Sequence, residues 1–304
     1  MSLEKIATLV SSFTALLLVS IKMTFGILSG SIAVLSSAID SVLDMFVSVF
    51  NYFAVKNAEL PADEQFNYGR GKIEALAAFI EGLIIFLSGT YILYESFVRF
   101  FTQQTVGYLG ISIMVMLISF CITLGLVYFL DYAAKKTKNL VIESDALHYK
   151  TDLLSTGGIL FSLIIIYFTS WYLLDAIVGA MIALYIMYSS VELIKKGMLM
   201  ILDVALDESE VTQIKDIINK NTLVNSYHYL KTRRSGKQKF VEVHLVFTPT
   251  MTLLDAHNSA DEIIDCIKKI DKKSKWIVNI HLDPYDDSGE NENVCKWSFG
   301  KNVR

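Results

Sequence analysis

Long apolar runs dominate the first two hundred residues of the chain, and a mixed polar pattern replaces them afterwards. Six runs, roughly 6–29, 32–56, 74–101, 106–132, 149–170 and 172–194, each reach the length of about 20 residues that a helix needs to cross a bilayer. They predict six transmembrane helices. The first run follows a single Lys5, exceeds a signal-peptide core in length and shows no small-residue cleavage site, so it reads as a span of the mature chain. From about Asp207 the periodicity alternates between helix and strand. Val211 to Asn221 reads as an amphipathic helix, Ser226 to Arg234 and Lys237 to Phe247 as strands around Ser235-Gly236-Lys237, Asp255 to Ile270 as a second helix and Trp276 to Leu282 as a third strand. The expected organisation is a six-helix membrane domain over 1–203, an αββαβ α+β domain over 204–285, and a polar flexible tail over 286–304.

Composition agrees with this division. Of 304 residues, 53% are hydrophobic, 19% are charged and three are proline, and the mean hydropathy is +0.45, which is too apolar for a soluble domain of this size. A net charge of −4 gives no sign of a nucleic-acid partner. Lys56, Arg70 and Lys72 lie in one inter-span loop, Lys135, Lys136 and Lys138 in another, and Lys195 and Lys196 close the last span, whereas the other three loops contribute only Arg99. The excess of basic residues on one side predicts a multi-pass protein of the cell membrane with both termini, and the polar domain, in the cytoplasm. Cys121, Cys266 and Cys295 form no close pair, which suits a reducing compartment and argues against a disulfide framework or a cysteine-type zinc site.

Chemistry enters where charge interrupts the apolar runs. Asp40 and Asp44 sit in the second run at i,i+4, on one helical face about a turn apart. Carboxylates in hydrocarbon need a partner or a function. His148 and Asp152 repeat the spacing at the start of the fifth run, and the simplest joint reading is one four-ligand metal site inside the membrane. Ser36, Ser37 and Ala38 would let helices approach closely there, as would Gly157 and Gly158 farther along. Lys22 reads either as a snorkelling cation or as a counter-ion to the aspartates. Glu81 either lines an aqueous path or makes a helix-interface hydrogen bond, and Asp145 is placed to support His148.

Four of the five histidines fall in the polar domain. A hairpin centred on Gly236 puts His228 directly opposite His244, with Cβ atoms about 5 Å apart. Strand alternation sends Val241, Val243, Leu245 and Phe247 to the core and His244 to the other face, and it puts His281 and Asp283 on that same outer face. His257, in the first turn of the second helix, is the remaining candidate. Imidazoles with a carboxylate suit Zn²⁺.

Taken together these motifs resemble the cation diffusion facilitator family, in particular its bacterial zinc and iron efflux branch. The likeness runs from the first span to about Pro284. Asp40-x-x-x-Asp44 and His148-x-x-x-Asp152 match the family's ligand motifs in spans two and five. The resemblance implies a tetrahedral transport site that exchanges a divalent metal for protons by alternating access within a homodimer, with the histidine favouring zinc. It also implies that His228, His244, His257, His281 and Asp283 form a binuclear cytoplasmic site bracing the two polar domains, and that Lys72 and Asp203 form a salt bridge between subunits. No prosthetic group is implied; Zn²⁺, Cd²⁺ or Fe²⁺ is cargo and regulatory ligand. The stretch PADEQFNYGRGK departs from the family pattern PADxxHxxGHGK, with Phe66 and Arg70 at the histidine positions, so no ion is expected in that loop. The alternatives are a metal-gated channel or sensor and a membrane metalloenzyme. The enzyme reading lacks both a general base such as that of a HExxH helix and an open coordination position.

Overall fold

A computed structural model describes residues 2–29, 32–102, 110–169 and 173–286. The side chains of Ser36 and Arg99, residue Cys295 and the expected tail from 287 onward lie outside the described residues. The chain divides into two compact units between Ile201 and Leu202.

The first unit holds six long helices, α1 (Leu3–Ser29), α2 (Ile32–Ala58), α3 (Lys72–Thr102), α4 (Gly110–Thr137), α5 (Leu140–Thr169) and α6 (Leu173–Ile201). Among the described residues α1, α2, α3, α4 and α6 are long and apolar enough to cross a membrane. They expose large apolar side chains such as Phe13, Leu28, Phe46, Tyr128 and Tyr188, as lipid-facing helices do. The first half of α5 carries Glu143, Asp145, Lys150 and Asp152, whereas the rest of the helix, from Leu153 to Thr169, is without charge in sequence.

Those polar residues are tolerated because α5 is wrapped by its neighbours. Ile142, Ala146 and Tyr149 pack with Ala7, Leu126 and Leu130 of α1 and α4; Leu140 packs with Ile85 and Ile186 of α3 and α6; Val141 packs with Val55 and Ala77 of α2 and α3. The helix extends toward its N-terminus beyond the apolar run that starts at 149. It begins at Leu140, where Asn139 Oδ1 accepts hydrogen bonds from the backbone N–H groups of Val141 (2.9 Å) and Ile142 (3.3 Å) and caps its first turn. His148 and Asp152 consequently lie in the helix interior. The expected contact at Gly158 is present, since a Cβ there would run into Ile182 Cδ1 of α6. A tighter backbone approach joins α6 to α3, where a Cβ on Gly197 would lie 2.9 Å from the Ala75 carbonyl and 3.0 Å from the Phe79 nitrogen.

The second unit follows the expected order, with α7 (Glu208–Lys220), β1 (Ser226–Ser235), β2 (Gln238–Val246), α8 (Leu253–Lys268) and β3 (Lys275–Asp283). The sheet order is β1-β2-β3, antiparallel between β1 and β2 and parallel between β2 and β3, so α8 serves as the crossover. Thr252 opens α8 by accepting from the Asp255 N–H at 3.1 Å. Val241, Val243, Leu245 and Phe247 are buried with Ile214 and Ile218 of α7 and Ile263 and Ile267 of α8.

The hairpin register holds a correction. The turn uses two residues, Gly236 and Lys237, between the paired Ser235 and Gln238, and Gly236 adopts φ 56°. Continued without interruption, that register would set His228 against Leu245. A bulge between His228 and Lys231 shifts the pairing by one residue and places His228 opposite His244. Tyr229, inside the bulge, takes the left-handed conformation at φ 52°. The expected pairing thus exists, but the bulge produces it rather than the turn.

Candidate metal centres

Among the described residues two clusters of metal-ligating side chains are present, one in each unit. In the helical unit Asp44, His148 and Asp152 bring ligand atoms within 4.8 Å of one another. His148 Nε2 lies 3.1 Å from Asp44 Oδ1 on α2 and 3.9 Å from Asp152 Oδ2, one turn farther along α5. The i,i+4 spacing puts His148 and Asp152 on one face, and the packing of α5 against α2 brings Asp44 to them. Asp40, the fourth expected ligand, lies a turn away on α2, exposed and outside this group. Lys22 Nζ donates to Ser41 Oγ (2.7 Å) and to the Ser37 carbonyl (3.4 Å), while its charge faces Asp40, Asp44 and Asp152. It therefore anchors α1 to α2 beside the cluster, with its charge close to the three aspartates.

In the sheet unit, the bulge and the β2–β3 register align His228, His244 and His281 in one row across three strands. Asp283, buried at the end of β3, serves all three imidazoles. Its Oδ2 lies 2.9 Å from His244 Nδ1 and 3.4 Å from His228 Nε2, and its Oδ1 lies 3.0 Å from His281 Nε2. Ligand atoms of His228, His244 and Asp283 fall within 4.8 Å of one another, and the His281 ring lies tilted against His244 with centroids 4.6 Å apart. Imidazole nitrogens around a carboxylate able to bridge are a donor set suited to a zinc-type ion. His257 does not reach this cluster. It is exposed on α8, with Asp261 at 3.5 Å as its ionic neighbour.

The loop before α3 accounts for its own departure from the histidine pattern. Asp63 Oδ1 accepts from the backbone N–H groups of Phe66 (2.7 Å) and Gln65 (3.0 Å), Oδ2 accepts from Arg70 (2.6 Å), and the Arg70 guanidinium stacks on the Phe66 ring. The Phe66 N–H, together with the Arg70 charge, holds the Asp63 carboxyl below the usual carboxylate range. Phe66 and Arg70 thus turn a candidate ligand into a loop staple.

Some residues at these sites went unrecognised from the sequence. Tyr229 sets its ring 4.9 Å from His228 and 5.4 Å from His244. Ser48 and Asn51, four and seven residues after Asp44, continue its face of α2, and that helical spacing was the signal that could have found them. Ser48 Oγ meets Tyr149 OH at 2.8 Å, and Asn51 meets Glu81 and Asp145. Glu81 is therefore held at a helix interface.

Apolar spans around one cluster able to hold a metal ion, with a second such cluster on a sheet, define a membrane protein that handles divalent cations. The cation efflux transmembrane domain model matches residues 8–202, and the model of the cation efflux protein cytoplasmic domain matches 206–285. The chain belongs to the cation diffusion facilitator family: it is a multi-pass cation efflux transporter rather than an enzyme, and its cytoplasmic-domain match indicates dimer formation. Among its relatives are proteins named cation-efflux pump FieF. That of Citrobacter koseri is 31% identical, over 91% of this chain and 92% of the relative. That of Shewanella oneidensis is 32% identical, over 92% and 94%. One from Yersinia pestis is 34% identical, over 85% and 86%.

Proposed function

We propose that this transporter exports Zn²⁺, or a related ion such as Cd²⁺ or Fe²⁺, from the cytoplasm in exchange for protons. It works as a homodimer of six-span subunits with both termini cytoplasmic. The observation that carries this reading is the convergence of Asp44, His148 and Asp152 from two helices onto one point inside the bundle. A neutral imidazole among carboxylates favours zinc-type ions over the harder divalent cations. Asp40, on the same face of α2, is the proposed fourth ligand, completing a tetrahedral set as α2 and α5 shift during transport.

The same ligands bind metal only when deprotonated, so protons and metal compete for them. A site open to a near-neutral cytoplasm loads metal, and the same site open to a more acidic exterior releases it against protons. His148 is the proposed main proton acceptor, since an imidazole titrates nearest neutral pH. On the sheet, metal held by His228, His244, His281 and Asp283, with His257 as a ligand from outside the single-chain cluster, is proposed to fix two polar domains together and tie transport to cytoplasmic metal.

The experiment is metal flux in proteoliposomes against a panel of divalent ions, with and without an imposed proton gradient. Zinc uptake that accelerates when the lumen is more acidic than the medium, and that alkalinises the lumen as protons leave, is expected. Flux indifferent to the gradient would point instead to a metal-gated channel.

A further inference from the structure

Beyond the metal cluster the bundle contains a second acidic site. Asn51 of α2, Glu81 of α3 and Asp145 of α5 meet where all three side chains are buried, at 0%, 2% and 0% exposure. The Asn51 amide spends both of its hydrogens there, one on Glu81 Oε2 (3.1 Å) and one on Asp145 Oδ1 (3.3 Å). Three acceptors remain without a donor among the described residues: Asn51 Oδ1, Glu81 Oε1 and Asp145 Oδ2. Ser144 Oγ lies against Glu81 Oε2 and 2.8 Å from the Val141 carbonyl, yet it has one hydrogen for the two. A neutral Glu81 carboxyl supplies the missing hydrogen.

Two ionised carboxylates sharing one amide, away from water, would carry uncompensated charge that a buried site does not sustain. A metal ion is a poor counter-charge, because the amide hydrogens of Asn51 already occupy the space between the carboxylates. Protons fit. We propose that Glu81 and Asp145, joined by Asn51, form a second cation site of the transporter, one that takes up protons and gives them up when metal binds.

Placement supports this role. Asp145 precedes His148 by three residues on α5, and Asn51 follows Asp44 by seven on α2, so both helices carry the same polar face from the metal cluster to this pair. The groups facing the pair are Ser11 of α1, Asp44 and Asn51 of α2, and Ser144 and His148 of α5. Tyr149, bonded to Ser48, borders Asp145. A divalent charge arriving between Asp44 and His148 therefore acts on Glu81 and Asp145 through a short buried path, and each carboxyl that ionises in response releases one proton.

The proposal rests on the metal/proton exchange reading but is tested separately from it. The full-length protein in weakly buffered detergent solution is titrated with Zn²⁺ while a pH indicator counts the protons released per zinc bound. Glu81→Gln preserves the shape of a neutral carboxyl and removes its proton, and Asp145→Asn does the same on α5. Each variant is expected to release fewer protons per zinc than the wild type, and equal release in both would overturn the proposal. Infrared difference spectra of the wild type provide a check that needs no variant: zinc should remove a protonated-carboxyl band, and its persistence would also overturn the proposal. If the variants release fewer protons but wild-type liposomes show no gradient-driven flux, the proton site stands and the exchange reading alone falls.

Discussion

The two clusters draw on the same two kinds of donor, imidazole and carboxylate, on very different supports. Asp44 belongs to one helix and His148 and Asp152 to another, held together by packed side chains such as Val55, Ala77 and Val141. The row of His228, His244 and His281 is fixed by backbone ladders on both sides of β2, and Asp283 buttresses all three rings. A site divided between helices opens when one helix slides or tilts against the other, and closed packing offers discrete alternatives for such a shift. A site printed on a sheet does not open without breaking hydrogen bonds. The first support suits a cargo that must leave, and the second suits an ion that stays.

Mutations can break this contrast. The largest effect belongs to the helical cluster: Asp44→Ala should lower transport by at least the about 10–100-fold seen when a metal site loses even a supporting residue. Asp40→Ala, one turn outside the gathered three, should cost less, as initial rates in liposomes would show. Equal losses would mean that all four ligands act together before the helices move.

On the sheet, His244→Ala should weaken zinc binding by about tenfold or more and raise the zinc concentration needed for transport, whereas His257→Ala should leave zinc binding by a single chain unchanged. Calorimetric titration distinguishes the two. A strong effect of His257→Ala in the monomer would extend the cluster onto α8.

Gly197→Ala probes the helical support itself. The added methyl would press on the α3 backbone at Ala75 and Phe79, so a loss of about 1–3 kcal/mol is expected, read as a lower melting temperature of the full chain. The smallest effect is electrostatic and lies in the sheet unit. Lys239, buried between Glu210 and Asp271, pulls the Asp271 carboxyl far below its ordinary value. A depressed acid contributes stability above the unfolded carboxylate pKa of about 3.9, and that contribution is lost as pH falls through the folded value. The Asp271 side chain is 32% exposed, so screening limits the term to about 0–1 kcal/mol. Urea melts of wild type and Asp271→Asn should differ at pH 6 and converge in strong acid.

The contrast in supports also explains what could be read from the sequence. Helical spacing is local, so Asp40-x-x-x-Asp44 and His148-x-x-x-Asp152 announced themselves, as did strand alternation at His244, His281 and Asp283. Convergence is not local. Nothing in the spacing says that the packing of α5 gathers three of the four proposed helical ligands and leaves Asp40 outside. The start of α5 at Leu140 was hidden because a helix sheathed by five others need not be apolar. His228 shows the same limit in the sheet: its pairing depends on a bulge at Tyr229, a residue whose left-handed backbone no propensity for tyrosine would suggest. The Asn51–Glu81–Asp145 contact needs three helices at once, so only tertiary structure could show it.

Asp44 and His148 are the proposed carriers of metal across the membrane in exchange for protons. The most direct test of that role is zinc-driven proton flux in liposomes reconstituted with wild type and with Asp44→Ala at matched protein density. Wild-type liposomes should show a zinc-dependent lumenal pH change, and the variant a background signal. A variant flux close to that of the wild type would contradict that role.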